Sequence, residues 1–88
     1  MVSYKIALKR SVEKDLRGLS KKTILRVLER IEQLKNDSRP RQSIKLTGAE
    51  RLYRIRVGDY RVIYEIDDKE GQITIIYVRH RRDAYRDF

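Results

Sequence analysis

Residues 52–66 read LYRIRVGDYRVIYEI, and this stretch restricts the fold more than any other part of the chain. Two β-like runs flank Gly58-Asp59, a two-residue loop whose composition signals a β-hairpin with glycine at the first turn position. In a strand, successive side chains point to opposite faces. Tyr53, Ile55 and Val57 therefore share one face, and Arg54 and Arg56 the other. On the return strand, Tyr60, Val62, Tyr64 and Ile66 oppose Arg61, Ile63 and Glu65. A two-residue loop pairs Val57 with Tyr60 and Arg56 with Arg61. Arg54, Arg56 and Arg61 then emerge together, two of them directly opposed.

Like charges across a strand pair are unfavourable. Two guanidiniums roughly 7 Å apart repel by about 0.6 kcal/mol in water and about 2.4 kcal/mol at an effective dielectric of 20. Either nearby acids such as Glu65 neutralise the cluster, or an anion sits between the arginines. Guanidinium forks bind phosphate oxygens bidentately and remain charged.

The rest of the chain supplies a scaffold for this hairpin. A third strand-like run, 72–79, follows the turn Asp67-Asp68-Lys69-Glu70-Gly71. An antiparallel register brings residues 77–81 back beside the 58–61 end, so Arg79, His80, Arg81 and Arg82 join the patch, with Tyr85 close by in the tail. Upstream, SYKIAL at 3–8 alternates as a short strand. Ser11 is placed as an N-cap, with Glu13 in the first turn and Val12, Leu16 and Leu19 on one side of a short helix ending near Gly18. Ser20 caps a second helix in which Ile24, Val27, Leu28, Ile31 and Leu34 form a buried stripe, ending near Asn36 before Pro40. Lys22, Arg26 and Arg30 line an exposed side of it, either as a solvated face or as a phosphate-contacting ridge. Residues 38–51 form a basic connection that includes Arg39, Arg41 and Lys45. The expected order is strand, helical hairpin, three antiparallel strands and a tail or short helix: an α+β fold in one domain, residues 1–88.

Composition narrows the function. The 88 residues carry a formal net charge of +9, which attracts polyanions or an acidic partner. There is no cysteine, so neither disulfides nor a cysteine zinc site can form. No segment approaches ~18 consecutive apolar residues, and a soluble, cytoplasmic protein is expected. No nucleophile stands beside a base, no glycine-rich phosphate loop is present, and no ligand cluster suits a metal. No cofactor or metal is therefore expected. RNA brings its own nucleophile, the 2′-OH. Its cleavage needs in-line alignment, charge stabilisation at phosphorus and help with two protons. An arginine cluster supplies the first two.

The runs IKLTG, LYRIRVGDYRVIYEI and YVRHRRDAY, in that order after a helical hairpin, resemble the RelE/ParE superfamily of bacterial and archaeal toxins. The resemblance covers nearly the whole chain and implies a RelE-like, microbial-RNase-like α+β fold. One branch of that family cleaves mRNA in the ribosomal A site; another inhibits DNA gyrase and generally lacks the basic set. Arg54 and Arg56 match two basic hairpin positions, Arg61 the arginine opening the return-strand motif, Arg81 the arginine after the last strand, and Tyr85 the tail tyrosine. The match implies the RelE-type branch, with these five residues catalytic. Lys22, Arg26, Arg30, Arg39, Arg41, Lys45, Arg79, His80 and Arg82 are expected to contact RNA or the ribosome. Relatives often carry lysine at the hairpin positions, whereas arginine cannot in practice act as a base. Tyr85, His80, or the ribosome and RNA must then take the 2′ proton. The resemblance also implies an acidic RelB-like antitoxin, a toxin–antitoxin heterotetramer, and operator DNA contacted through the antitoxin. A ParE-like gyrase inhibitor and a non-catalytic RNA-binding module are the competing readings.

Overall fold

The computed structural model describes residues 3–46, 48 and 51–82. Among them the chain forms β1 (Lys5–Leu8), α1 (Arg10–Arg17), α2 (Lys21–Gln33), β2 (Ile44–Lys45), β3 (Leu52–Val57), β4 (Tyr60–Asp67) and β5 (Gln72–His80). The strands make one sheet in the order β1-β5-β4-β3-β2. The α+β class is as expected. Two features differ from the expectation: β1 runs parallel to β5, so the sheet is mixed, and β2 adds a fifth strand from within the basic connection.

The hairpin register is the one the turn dictates. Val57 faces Tyr60 and Arg56 faces Arg61. Gly58 has φ +61°, a left-handed conformation that side chains disfavour, which is why glycine opens this turn. On its far side β4 pairs with β5, and there the pleat is interrupted. Ile63 pairs with Tyr77 but Tyr64 pairs with Ile75, leaving Ile76 as an extra residue. This β-bulge shifts the alternation of β5 by one residue. Ile73, Ile75, Val78 and His80 fall on the face of Tyr64 and Val62, while Tyr77 and Arg79 fall on the face of Arg61.

Both helices contribute to a core on one face of the sheet. Val12, Val27, Ile31 and Leu34 pack with Ile55, Val57, Val62, Tyr64, Ile66, Ile73, Ile75 and Val78. Each such side chain contributes on the order of 1.5–3 kcal/mol by leaving water. Tyr64 stacks on Tyr53 with ring centroids 6.0 Å apart, and its hydroxyl donates to the Ser38 carbonyl at 2.9 Å. Burial pushes the Tyr64 phenol up to about 12.

Ser20 caps α2 as expected, its Oγ accepting from Thr23 N–H at 3.2 Å, worth about 1 kcal/mol. The start of α1 differs. Lys9 occupies the cap position without a side-chain cap, and Ser11 lies inside the helix. Its hydroxyl instead donates to the Ile76 carbonyl at 2.6 Å, a tertiary partner outcompeting a local one. The buried stripe of α2 is narrower than expected: Val27, Ile31 and Leu34 are buried, whereas Leu28 is 39% exposed.

Candidate functional site

The sheet face away from the helices carries the arginines. Register places Arg54 opposite Ile63 and Ile63 opposite Tyr77; one step along, Arg56 faces Arg61 and Arg61 faces Arg79. Ile63 is fully buried although it lies outside the helix-side core. It places an apolar residue between Arg54 and Tyr77 in the sheet.

A cleft of about 590 Å³ is lined by Gln42 and Ile44 from β2 and its approach, Arg54 and Arg56 from β3, Gly58 and Asp59 from the turn, and Arg61 from β4. Arg56 Nε donates to the Gly58 carbonyl at 3.0 Å, which aims its guanidinium back across the turn. Arg61 Nε and Nη1 are buried, yet neither has a hydrogen-bond partner among the described residues. Burial lowers the pKa of Arg61, and the charges of Arg54, Arg56 and Arg81 lower it further. Asp59 opposes this only in part, and the backbone N–H of Arg81 donates to the Asp59 carbonyl at 2.8 Å. Among the described residues, ion pairs form elsewhere: Lys35 with Glu32, Arg39 with Asp68 and Arg51 with Asp67. Two buried guanidinium nitrogens with no partner among the described residues, beside further arginines, make a setting suited to an anion.

The structure sorts the expected residues. Arg54, Arg56 and Arg61 line one cleft, and Arg81 lies within electrostatic reach of it. Arg79 shares the face and covers the Tyr77 ring, its guanidinium carbon 4.2 Å from the centroid. Arg26 and Arg30 of α2 line a groove of about 220 Å³ with Gly58, at the tip of the same hairpin. Arg30 also borders a cleft of about 420 Å³ that shares Gln42 with the arginine cleft. Lys22 and Arg41 are exposed, on α2 and in the turn before β2. Lys45 pairs with Tyr53, which puts it on the helix side of the sheet.

Two residues are occupied away from the cleft. Arg39 grips Asp68 through two hydrogen bonds, at 2.8 and 3.2 Å, and donates to the Tyr53 hydroxyl at 3.1 Å. His80 pairs with Tyr60 and meets its ring edge-on at 5.5 Å, and its Nδ1 accepts from Arg82 N–H at 3.3 Å. Strand alternation points it away from the arginines, so it does not adjoin the anion site. Arg82 is exposed in the turn after β5. Tyr85 lies outside the described residues. Sequence reasoning missed Gln42, Ile44 and Asp59 as lining residues, and Tyr77 as the aromatic beneath Arg79. The alternation Ile44-Lys45-Leu46 was the only sequence signal for the fifth strand.

This architecture matches known proteins throughout. A family model described as the ParE toxin of the type II toxin–antitoxin system, parDE, matches residues 6–85. The chain belongs to the RelE/ParE toxin superfamily. It is 32% identical to Toxin RelE of Mycobacterium tuberculosis over 94% of this chain and 87% of that protein. It is 28% identical to Putative toxin RelE1 of Methanocaldococcus jannaschii, over 97% and 98%. The crystal structure of the archaeal RelE–RelB complex from Pyrococcus horikoshii OT3 contains a similar chain, with 36% identity and a TM-score of 0.82. That match covers 94% of this toxin and all of the other chain. No helix among this toxin's described residues is long and apolar enough to cross a membrane.

Proposed function

We propose that this toxin is a ribosome-dependent mRNA endoribonuclease of the RelE type, acting in the A site in the cytoplasm as one domain of residues 1–88. The observation that supports this most is the pair of buried Arg61 nitrogens, without a partner among the described residues, amid other arginines. Arg61 and Arg81 hold the scissile phosphate and stabilise the charge that grows on it. Arg54 and Arg56 neutralise the adjoining backbone and the leaving 5′ oxygen. The 2′ oxygen attacks phosphorus, the P–O5′ bond breaks, and the proton lost at O2′ is matched by one gained at O5′. The products are a 2′,3′-cyclic phosphate and a 5′-OH. Tyr85 orients or deprotonates the 2′-OH and stacks on a base. In this reading the toxin itself uses no metal or cofactor.

An acidic RelB-like antitoxin is the natural partner, since a similar chain is seen in a RelE–RelB complex and this toxin carries +9. The pair forms a heterotetramer that reaches operator DNA through the antitoxin. Toxin added to programmed ribosomes, followed by primer extension, tests the nuclease. New mRNA 5′ ends are expected with wild type and absent with Arg61→Ala and Arg81→Ala. Because the matching family model is that of ParE, gyrase inhibition is the second reading. It requires Arg61→Ala to remain fully toxic.

A further inference from the structure

We propose that Asp15 and Ser11 of α1 are positioning residues for the arginine site: they clamp the bulge of β5 that turns Tyr77 and Arg79 onto the arginine face and leads the chain to Arg81. The rate readout of this proposal rests on the endonuclease reading above.

In an unbroken pleat, Tyr77 and Arg79 would share the face of Ile73 and Ile75, inside the helix-side core, and Val78 would face the arginines. The extra residue at Ile76 reverses this. A bulge persists only where its displaced backbone groups find partners. β1 cannot supply them, because its pairing with β5 stops at Ile75. There α1 takes over the exposed edge. Lys9 N–H donates to the Ile75 carbonyl at 3.0 Å. The Ser11 hydroxyl donates to the Ile76 carbonyl at 2.6 Å, and the Asp15 carboxylate accepts the Val78 N–H at 2.9 Å, both partly buried. Ser11 and Asp15 stand four residues apart, so one side of the helix holds both backbone groups that flank Tyr77. Val12 between them is fully buried and fixes the helix against the sheet.

Three residues beyond Val78, the Arg81 N–H ties to the Asp59 carbonyl of the hairpin turn. β5 is thus held at Ile76 and Val78 by α1 and at Arg81 by the turn. Arg79, opposite Arg61, lies between these anchors. A charge-assisted bond to a carboxylate is the stronger kind.

The sign of the charge makes the proposal testable. Asp15→Ala and Asp15→Asn each raise the formal net charge from +9 to +10. Electrostatics alone moves both variants equally, toward tighter binding of a polyanion. The clamp separates them, because asparagine keeps a carbonyl oxygen able to accept the Val78 N–H.

On programmed ribosomes at saturating toxin, Asp15→Asn is expected to cleave within about 3-fold of wild type, and Asp15→Ala about 10- to 100-fold slower, as for a misplacement of roughly 1 Å. Ser11→Ala shifts the rate in the same direction by less. Equal rates for the two Asp15 variants overturn the proposal. Should Asp15→Ala fail to fold, Ser11→Ala decides: a slower rate at an unchanged melting temperature supports the clamp, and a wild-type rate overturns it. Should wild type leave mRNA intact, the endonuclease reading falls. The clamp is then judged by binding of a 2′-deoxy oligonucleotide, where weaker binding by Asp15→Ala than by Asp15→Asn supports it and equal binding overturns it.

Discussion

Arg39 and Arg61 are the same side chain in opposite circumstances. Arg39 has what an arginine needs: the Asp68 carboxylate at 2.8 Å, the Tyr53 hydroxyl at 3.1 Å, and the Tyr53 ring 5.1 Å below its guanidinium carbon. Its pKa rises above the ordinary arginine value, chiefly through the bond to Asp68. Arg39 and Tyr4 together hold the Asp68 carboxyl down to about 2. Arg61 has burial, like-charged neighbours, two nitrogens without partners among the described residues and a lowered pKa. The first arrangement is complete within the protein. The second leaves Arg61 Nε and Nη1 without a partner among the described residues. An excess of arginine therefore does not locate a candidate site; a shortfall of hydrogen-bond partners among the described residues does.

Several substitutions can break this contrast, and the largest effect belongs to chemistry. Arg61→Ala is expected to slow mRNA cleavage by about 10²- to 10³-fold, as for loss of one donor to a developing oxyanion. Arg39→Ala leaves the rate of the folded protein unchanged, measured in the same primer-extension assay. Next comes RNA binding as a function of salt. Arg56→Gln reduces the slope of log affinity against log salt by about 0.7 to 1, and Arg39→Gln leaves the slope unchanged.

Stability is expected to change with opposite signs. Removing Arg61 relieves a directly opposed like-charge pair and stabilises the free protein by about 0.2–1 kcal/mol. Arg39→Gln destabilises it by up to about 1 kcal/mol, an exposed ion pair being worth no more. Urea melts of the two variants check the signs.

The smallest effect is the acid response. The folded pKa of Asp68 is depressed, so its contribution is complete above the unfolded value near 3.8 and disappears as pH falls through about 2. Asp68→Asn is expected to flatten the loss of melting temperature between about pH 4 and 2.

Much of this contrast was legible in the chain itself, because local chemistry decides it. Gly58-Asp59 dictates a two-residue turn, the turn dictates the register, and the register puts Arg54, Arg56 and Arg61 on one face. Ser20 caps α2 because its partner, Thr23, lies within the same turn. What escaped depends on distant partners. β2 is two residues long, too short for its alternation to stand out; it exists because β3 offers an edge. Ser11 resembles a cap until Ile76 comes within reach. The bulge left only the adjacent pair Ile75-Ile76 as a sign, in a run that otherwise alternates plausibly. Arg39 was expected to contact RNA or the ribosome, because its partner Asp68 lies 29 residues further along the chain. His80 was placed among the arginines by an antiparallel register without a bulge, but the alternation after the bulge turns it toward Tyr60.

The contrast between the two arginines can be measured directly by following arginine Nε–Hε NMR signals while a 2′-O-methyl oligoribonucleotide, which cannot be cleaved, is added. The Arg61 signal is expected to shift saturably as its buried N–H gains a phosphate oxygen, while the Arg39 signal stays in place against Tyr53. An Arg61 signal unmoved at saturation, or an Arg39 signal that moves as far, would contradict an anion site built on Arg61.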